Sequence, residues 1–365
     1  MIDTIFSPAF GNRPYVMVGR ETVISQLKQG LSSPPGSRDR ATLLLGQRGY
    51  GKTVLLLEMA DIARAEGYVV ASPTVVSKGM LDRILEKIIE DAKSLVKDSK
   101  PGISGGSLSI MGFGAGIDFQ KEESAPKSFA HRLANLCREL NKRKKGLLIL
   151  IDEVQAGNDD LRQLIIAYQE LVGENADIAL MMAGLPHAVA STLNDHVLTF
   201  LNRAPKLLLE PLKTNVIEAY YVKAFHSLKL NISAELIQKA AAEAQGSPYL
   251  MQLIGHYITL TAPDNLTITN KTFSSALRMA KDDFINDICQ TSLASLSEKD
   301  LAFLSAMSQD AKESKIEDIA RRMSVSASYV QTYKRRLLQS GVIESPRRGV
   351  VRFTIPYLKE YLSKL

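Results

Sequence analysis

Apolar positions along this 365-residue chain follow two spacings, and the change from one to the other divides it. Short, nearly unbroken apolar runs at 41–45, 68–76, 147–152, 178–183 and 206–210 predict strands, and runs without polar alternation predict strands covered on both faces. Helical spacing over 52–65, 80–96, 128–140 and 160–172 supplies the covering layers. Strands alternating with helices predict an α/β fold around a parallel sheet sandwiched by helices. Beyond Pro211 the strand signal stops, and helical spacing over 215–228, 233–244, 249–260 and 271–289 predicts an all-α unit. After Leu296 the pattern changes again. Helices at 298–307, 316–323 and 328–338, followed by short β segments at 342–344 and 350–354, predict a winged helix. The expected division is therefore 1–212, 213–292 and 293–365.

A chain of this length, 45% hydrophobic and 23% charged, can bury two or three cores, which excludes disordered and fibrous classes. Its longest apolar run, Leu147 to Ile151, falls far short of the roughly 18 residues a membrane span needs. With no charged-then-apolar leader at its start, the reading is of a soluble, cytoplasmic protein with no membrane partner. Two cysteines, Cys137 and Cys289, sit in helical apolar patterns and predict buried thiols rather than a disulfide framework. The five histidines show no metal-ligand spacing. A glycine-rich stretch from Pro101 to Gly116 interrupts the α/β pattern, and alternation within it predicts an inserted hairpin at about 101–120.

The chemistry concentrates in Gly46-Gln47-Arg48-Gly49-Tyr50-Gly51-Lys52-Thr53, which fits G-x-x-x-x-G-K-[ST] between a predicted strand and a predicted helix. Glycines let successive N–H groups turn inward toward phosphate oxygens, and the helix N-terminus adds its positive end. Lys52 is placed to neutralise the β and γ phosphates, Thr53 to offer a hydroxyl to Mg²⁺, and Val54 to continue the cradle into the helix. At the end of the 147–152 strand stands Asp152-Glu153. Asp152 is expected to hold a water in the Mg²⁺ shell, and Glu153 to orient or deprotonate the water that attacks the γ-phosphate. ATP and Mg²⁺ are the expected cofactors.

The order of strands and motifs resembles the AAA+ P-loop ATPases, and among them the origin-recognition and STAND-like branch, with an all-α lid and a C-terminal winged helix. The resemblance implies further roles. Val18-Gly19-Arg20 would lie against the adenine, 178–184 would be the sensor-1 strand, and Arg203 an arginine finger in the same or a neighbouring subunit. Pro248 and Tyr249 fall at the sensor-2 segment and would meet the nucleotide. Two positions depart from the family pattern: the sensor-1 strand ends Met182-Ala183-Gly184 without a polar side chain, and Tyr249 stands where an arginine is usual. Both departures suit a slowly or conditionally hydrolysing ATPase.

Charge adds a second function. The net charge is +6, and from Ser295 onward there are 13 basic residues against 8 acidic. In the 328–338 helix, Ser328, Tyr329, Gln331, Thr332, Lys334 and Arg335 are expected to face outward, with Arg347 and Arg348 at the wing tip. Small polar residues followed by cations suit a major groove and its phosphates, and a wing arginine suits a minor groove. Duplex DNA is therefore an expected partner, with a protein client or further copies of the chain as alternatives. A second cationic cluster, Arg138 with Lys142 to Lys145, ends a predicted helix, where it complements the macrodipole. The expectation is an ATP-controlled DNA-binding switch. Its rivals are a signalling scaffold that keeps ATP as a structural ligand, and a helicase-loading or transposition-associated ATPase.

Overall fold

The computed structural model describes residues 5–8, 14–97, 128–294 and 296–364. Five parallel strands, β1 (Ala41–Leu45), β2 (Val69–Val75), β3 (Leu147–Asp152), β4 (Ile178–Gly184) and β5 (Lys206–Leu208), lie in the order β2-β3-β4-β1-β5. Every residue of β3 and β4 is buried, as expected for central strands with helices on both faces. On one face α1 (Glu21–Leu31) and α2 (Lys52–Ala65) pack Leu27, Leu55, Leu56 and Met59 against Leu44, Leu148 and Met181. On the other, α3 (Met80–Lys97), α4 (Phe129–Lys142) and α5 (Asp159–Gly173) pack Ile84, Leu133 and Leu164 against Leu43, Ile149 and Leu180. Full burial of such leucines contributes about 2 kcal/mol each. Helix α6 (Pro186–Leu193) follows β4.

Strands β1 and β3 flank β4, and both candidate motifs leave the sheet at their carboxyl edge, where open α/β sheets bind ligands. Strand β5 stops at Leu208, two residues earlier than expected. Pro211 has no N–H with which to extend a ladder, and the chain turns so that the Leu212 N–H meets the Gly246 carbonyl at 2.9 Å.

Four helices come next: α7 (Thr214–Ser227), α8 (Ala234–Glu243), α9 (Pro248–Leu260) and α10 (Asn270–Phe284). Phe6 packs among them, in contact with Tyr220 and Phe225, and Gly255 of α9 leaves room for its ring. The expected 271–289 helix is α-helical only to Phe284, after which Ile285–Gln290 forms a π-helical turn. The wider turn lets Asp287 meet Tyr249 and Cys289 meet the Pro356 carbonyl.

The C-terminal unit comprises α11 (Glu298–Ser308), β6 (Ser314–Lys315), α12 (Ile316–Arg322), α13 (Ala327–Gln339), β7 (Ile343–Arg347), β8 (Val350–Phe353) and α14 (Leu358–Leu362). Its antiparallel sheet runs β6-β8-β7, so the hairpin gains a short third strand. Its apolar residues, such as Phe303, Ile319, Val330 and Leu337, are continuous with the core of α7 to α10. Cys137 and Cys289 are buried free thiols, pushed up to about 12 by burial. The expected hairpin at 101–120 lies outside the described residues.

Candidate nucleotide site

Gly46 to Gly51 form the turn between β1 and α2, with Gly49 at φ +76° and Gly51 at φ +83°. These left-handed angles are what a tight loop demands and what a side chain would resist. Gly51 is the N-cap of α2 and offers no side-chain cap, so the first amides of that helix remain open to an anion. The Lys52 ammonium folds back over the loop and donates to the Gly46 carbonyl at 2.8 Å and the Gln47 carbonyl at 2.9 Å. Burial lowers the lysine to about 8, and the nearby Asp152 and Glu153 carboxylates oppose that shift.

Thr53 and Asp152 meet. The Thr53 hydroxyl donates to Asp152 Oδ2 at 2.5 Å, and the Glu153 N–H donates to the other carboxylate oxygen at 2.9 Å. Two residues 99 positions apart thus place a hydroxyl and a carboxylate at the foot of one loop. Hard oxygen donors in that number fit Mg²⁺, which takes one or two protein ligands and completes its shell with phosphate and water. Glu153 is exposed at φ +53°, an angle uncommon for a side-chain-bearing residue and frequent at functional turns. Its neighbour Val154 anchors the turn by donating to the Ala183 carbonyl at 2.9 Å.

Arg20 is buried, and its guanidinium donates to the Tyr50 carbonyl at 3.3 Å, so the 18–20 segment does reach the loop. Burial depresses this arginine as well. Gly19, at φ +68°, lies against Leu212 and Val216. Gly184 closes β4 between Val189 and Val154, where an added Cβ would come within 2.9 and 3.1 Å. That packing accounts for the missing polar side chain at the end of this strand.

Pro248 opens α9, and Tyr249 follows beside the loop: a Cβ on Gly49 would sit 3.9 Å from Tyr249 Cβ and 3.6 Å from Ser247 Oγ. The Tyr249 hydroxyl, however, donates to Asp287 Oδ2 at 2.7 Å. Arg203 does not join this site. It ends the 3₁₀ segment His196–Arg203 and precedes β5, whose Lys206 pairs with Leu43, so it lies toward the opposite edge of the sheet. It is exposed and has no ion pair among the described residues.

Of the outward-facing residues expected on α13, Ser328, Tyr329, Gln331, Thr332 and Arg335 are exposed and Lys334 is half-buried. The Tyr333 hydroxyl donates to that of Tyr329 at 2.8 Å. Arg347 and Arg348 are exposed on the hairpin, and Arg347 pairs with Glu313 at 2.7 Å.

Sequence reasoning missed one neighbour of the loop. Gly341, just after α13, lies so close to Gln47 and Leu185 that an added Cβ would come within 2.9 Å of each. Tyr50 is raised by burial and by Glu344 of β7, and Arg352 of β8 opposes this. Gly341, at φ +71°, is legible only as a helix C-cap, and nothing local in the sequence tells what it rests on.

Residues 16–181 match the family model described as AAA ATPase domain, and residues 286–362 match one described as a domain of unknown function (DUF8462). No curated protein matches the chain in sequence. Among solved structures, the Walker-type ATPase PABY2304 of Pyrococcus abyssi is similar at TM-score 0.66 and 15% identity, covering 96% of this chain and 97% of that one. The Aeropyrum pernix ORC2 protein, solved in ADPNP-ADP complexes, is similar at TM-score 0.65 and 14% identity over 98% and 95%. Cdc6p from Pyrobaculum aerophilum is similar at TM-score 0.55 and 19% identity over 100% and 97%. The fold is that of the P-loop AAA+ ATPases.

Proposed function

We propose that the chain binds Mg-ATP in the loop of Gly46 to Thr53, hydrolyses it slowly, and uses its nucleotide state to control duplex-DNA binding by the C-terminal unit, read as a winged helix. The observation that carries this is the meeting of Thr53 with Asp152 beneath a loop that also holds Lys52. Lys52 would move its ammonium from the loop carbonyls to phosphate oxygens. Thr53 and Asp152 would hold Mg²⁺, which supplies charge neutralisation to the phosphates when bound. Glu153, exposed on its left-handed turn, would orient the attacking water. ATP as the nucleotide draws support from the match to an AAA ATPase domain and from the ORC2 protein's ADPNP-ADP complexes.

Slow turnover follows from two features: β4 ends on a glycine wedged between valines, and Tyr249 spends its hydroxyl on Asp287. DNA binding rests on the exposed polar and cationic face of α13 together with Arg347 and Arg348. Domain limits at 212 and 292 follow the end of the sheet and the π-helical turn. Arg203 has the exposure needed to act on a neighbouring copy.

Duplex binding measured across a salt series, with and without Mg-ATP, tests the reading. The expected log–log slope is about −0.9 per phosphate contact, made shallower by Arg347→Ala/Arg348→Ala. Indifference to salt, nucleotide and both arginines would refute it. The seat of Gly341 on Gln47 favours a second reading, in which ATP is a structural ligand joining the C-terminal unit to the loop and that unit binds protein. Near-zero single turnover with no arginine-dependent DNA shift would select it.

A further inference from the structure

The phosphate loop reaches the C-terminal unit by two routes. One is direct, through Gln47 and Leu185 against Gly341. The other passes through the head of α9. Gly49 faces the head of α9, where an added Cβ would come within 3.6 Å of Ser247 Oγ and 3.9 Å of Tyr249 Cβ. Tyr249 sends its hydroxyl to Asp287 at 2.7 Å and packs its ring against Phe284, with centroids 6.1 Å apart.

Phe284 and Asp287 flank the start of the π-helical turn, and that turn grips the C-terminal unit. Cys289 donates to the Pro356 carbonyl at 3.6 Å, and Phe284 meets Tyr357 edge-on with centroids 6.4 Å apart. Tyr357 in turn donates to Glu243 at the end of α8, at 2.7 Å. A π-helical turn has i→i+5 bonds with poorer packing than the α-helix around it, and such turns cluster at functional sites. Here it continues directly from α10 and runs into a last helical turn, Thr291–Leu293, ahead of the connection to α11.

We propose that the Tyr249–Asp287 hydrogen bond is a positioning contact that transmits occupancy of the phosphate loop to the C-terminal unit through this π-helical joint. The inference deepens the reading above and rests on its nucleotide site. A loop that closes on a triphosphate shifts Gly49, and the head of α9, which stands next to it, follows. The bond carries that shift to Asp287, and Cys289 and Phe284 carry it to Pro356 and Tyr357. Coupling of this kind needs one element whose position both sites bias, and the joint supplies it.

The test uses the full chain and compares wild type, Asp287→Ala and Tyr249→Phe. Hydrogen exchange is followed in residues 298–353 with and without Mg-ATP, beside calorimetric ATP affinity. Wild type should change exchange in that region by about fivefold or more, the lower end of ordinary allosteric coupling. Asp287→Ala should keep its ATP affinity and lose most of the exchange response. Tyr249→Phe, which removes only the hydroxyl, should lose the same response, and the double variant should lose no more than either single one.

A merely structural role would raise exchange equally with and without nucleotide, and that result would overturn the proposal. So would a full wild-type response in either variant. If wild type binds ATP but its C-terminal unit does not respond, the coupling fails and the nucleotide site stands. If wild type binds no ATP, both fail.

Discussion

Replacing Asp152 with Asn isolates the contribution of one buried charge. The carboxylate is 4% exposed and accepts from the Thr53 hydroxyl and the Glu153 amide. Asn keeps an acceptor for the amide, and the Thr53 hydroxyl can rotate to accept from the new NH₂, so the turn should survive. What disappears is one negative charge beside the proposed cation site. A unit negative charge and a divalent cation about 5 Å apart at an effective permittivity of about 20 attract by about 7 kcal/mol. Phosphate and water around the cation offset part of that, leaving about 1.5–3 kcal/mol, or a loss of about 10- to 100-fold. Fluorescent ATP should be titrated with Mg²⁺ and again with EDTA, below neutral pH so that Lys52, lowered to about 8, stays charged. The loss should appear only with Mg²⁺. An equal loss in EDTA, or none in either, would refute the assignment of Asp152 to the cation.

Other outcomes follow from the same geometry. Glu153→Gln should bind ATP as wild type does and lose single-turnover hydrolysis; a fully active variant would remove Glu153 from the water-orienting role. Gly246→Ala should lower the urea midpoint, because φ is +74° and the new Cβ would come within 2.6 Å of Pro211 Cβ. Left-handed strain and overpacking together cost about 2–5 kcal/mol. Asp300 is buried, which by itself would raise its carboxyl, but hydrogen bonds from Arg336 and Ser297 hold it below the usual range. Its depressed folded value means that its contribution is present above the unfolded pKa and is lost as pH falls through the folded one. Arg336→Gln should therefore move the acid unfolding of the C-terminal unit to higher pH, read by far-ultraviolet circular dichroism.

The parts legible in the sequence are those set by short-range pattern. Leu147 to Ile151 reads as a strand covered on both faces and is buried throughout, and the Gly46 to Thr53 spacing marks the turn between β1 and α2. Thr53 and Asp152 were each assigned to Mg²⁺ from their own motifs, and the hydrogen bond between them emerges only in the fold. Short elements escaped notice: β6 has two residues and α14 five, too few to show a period. The π-helical turn was hidden because its composition continues that of α10. Contacts between distant segments were beyond reach as well. Nothing near Gly341 announces Gln47, and Tyr249, read as a nucleotide contact, directs its hydroxyl to a partner 38 residues away. The register of β5 with β1 was likewise needed to show that Arg203 lies away from its own chain's loop.

Isothermal calorimetry of Mg-ATP with wild type and Lys52→Ala bears most directly on the account. The half-buried ammonium makes two carbonyl contacts that it can exchange for phosphate oxygens, and each bond to a charged group is worth about 1.5–3 kcal/mol. Wild type should bind saturably, and Lys52→Ala should bind about 100-fold more weakly or not measurably. Equal affinity in the two proteins, or no binding by wild type, would contradict it.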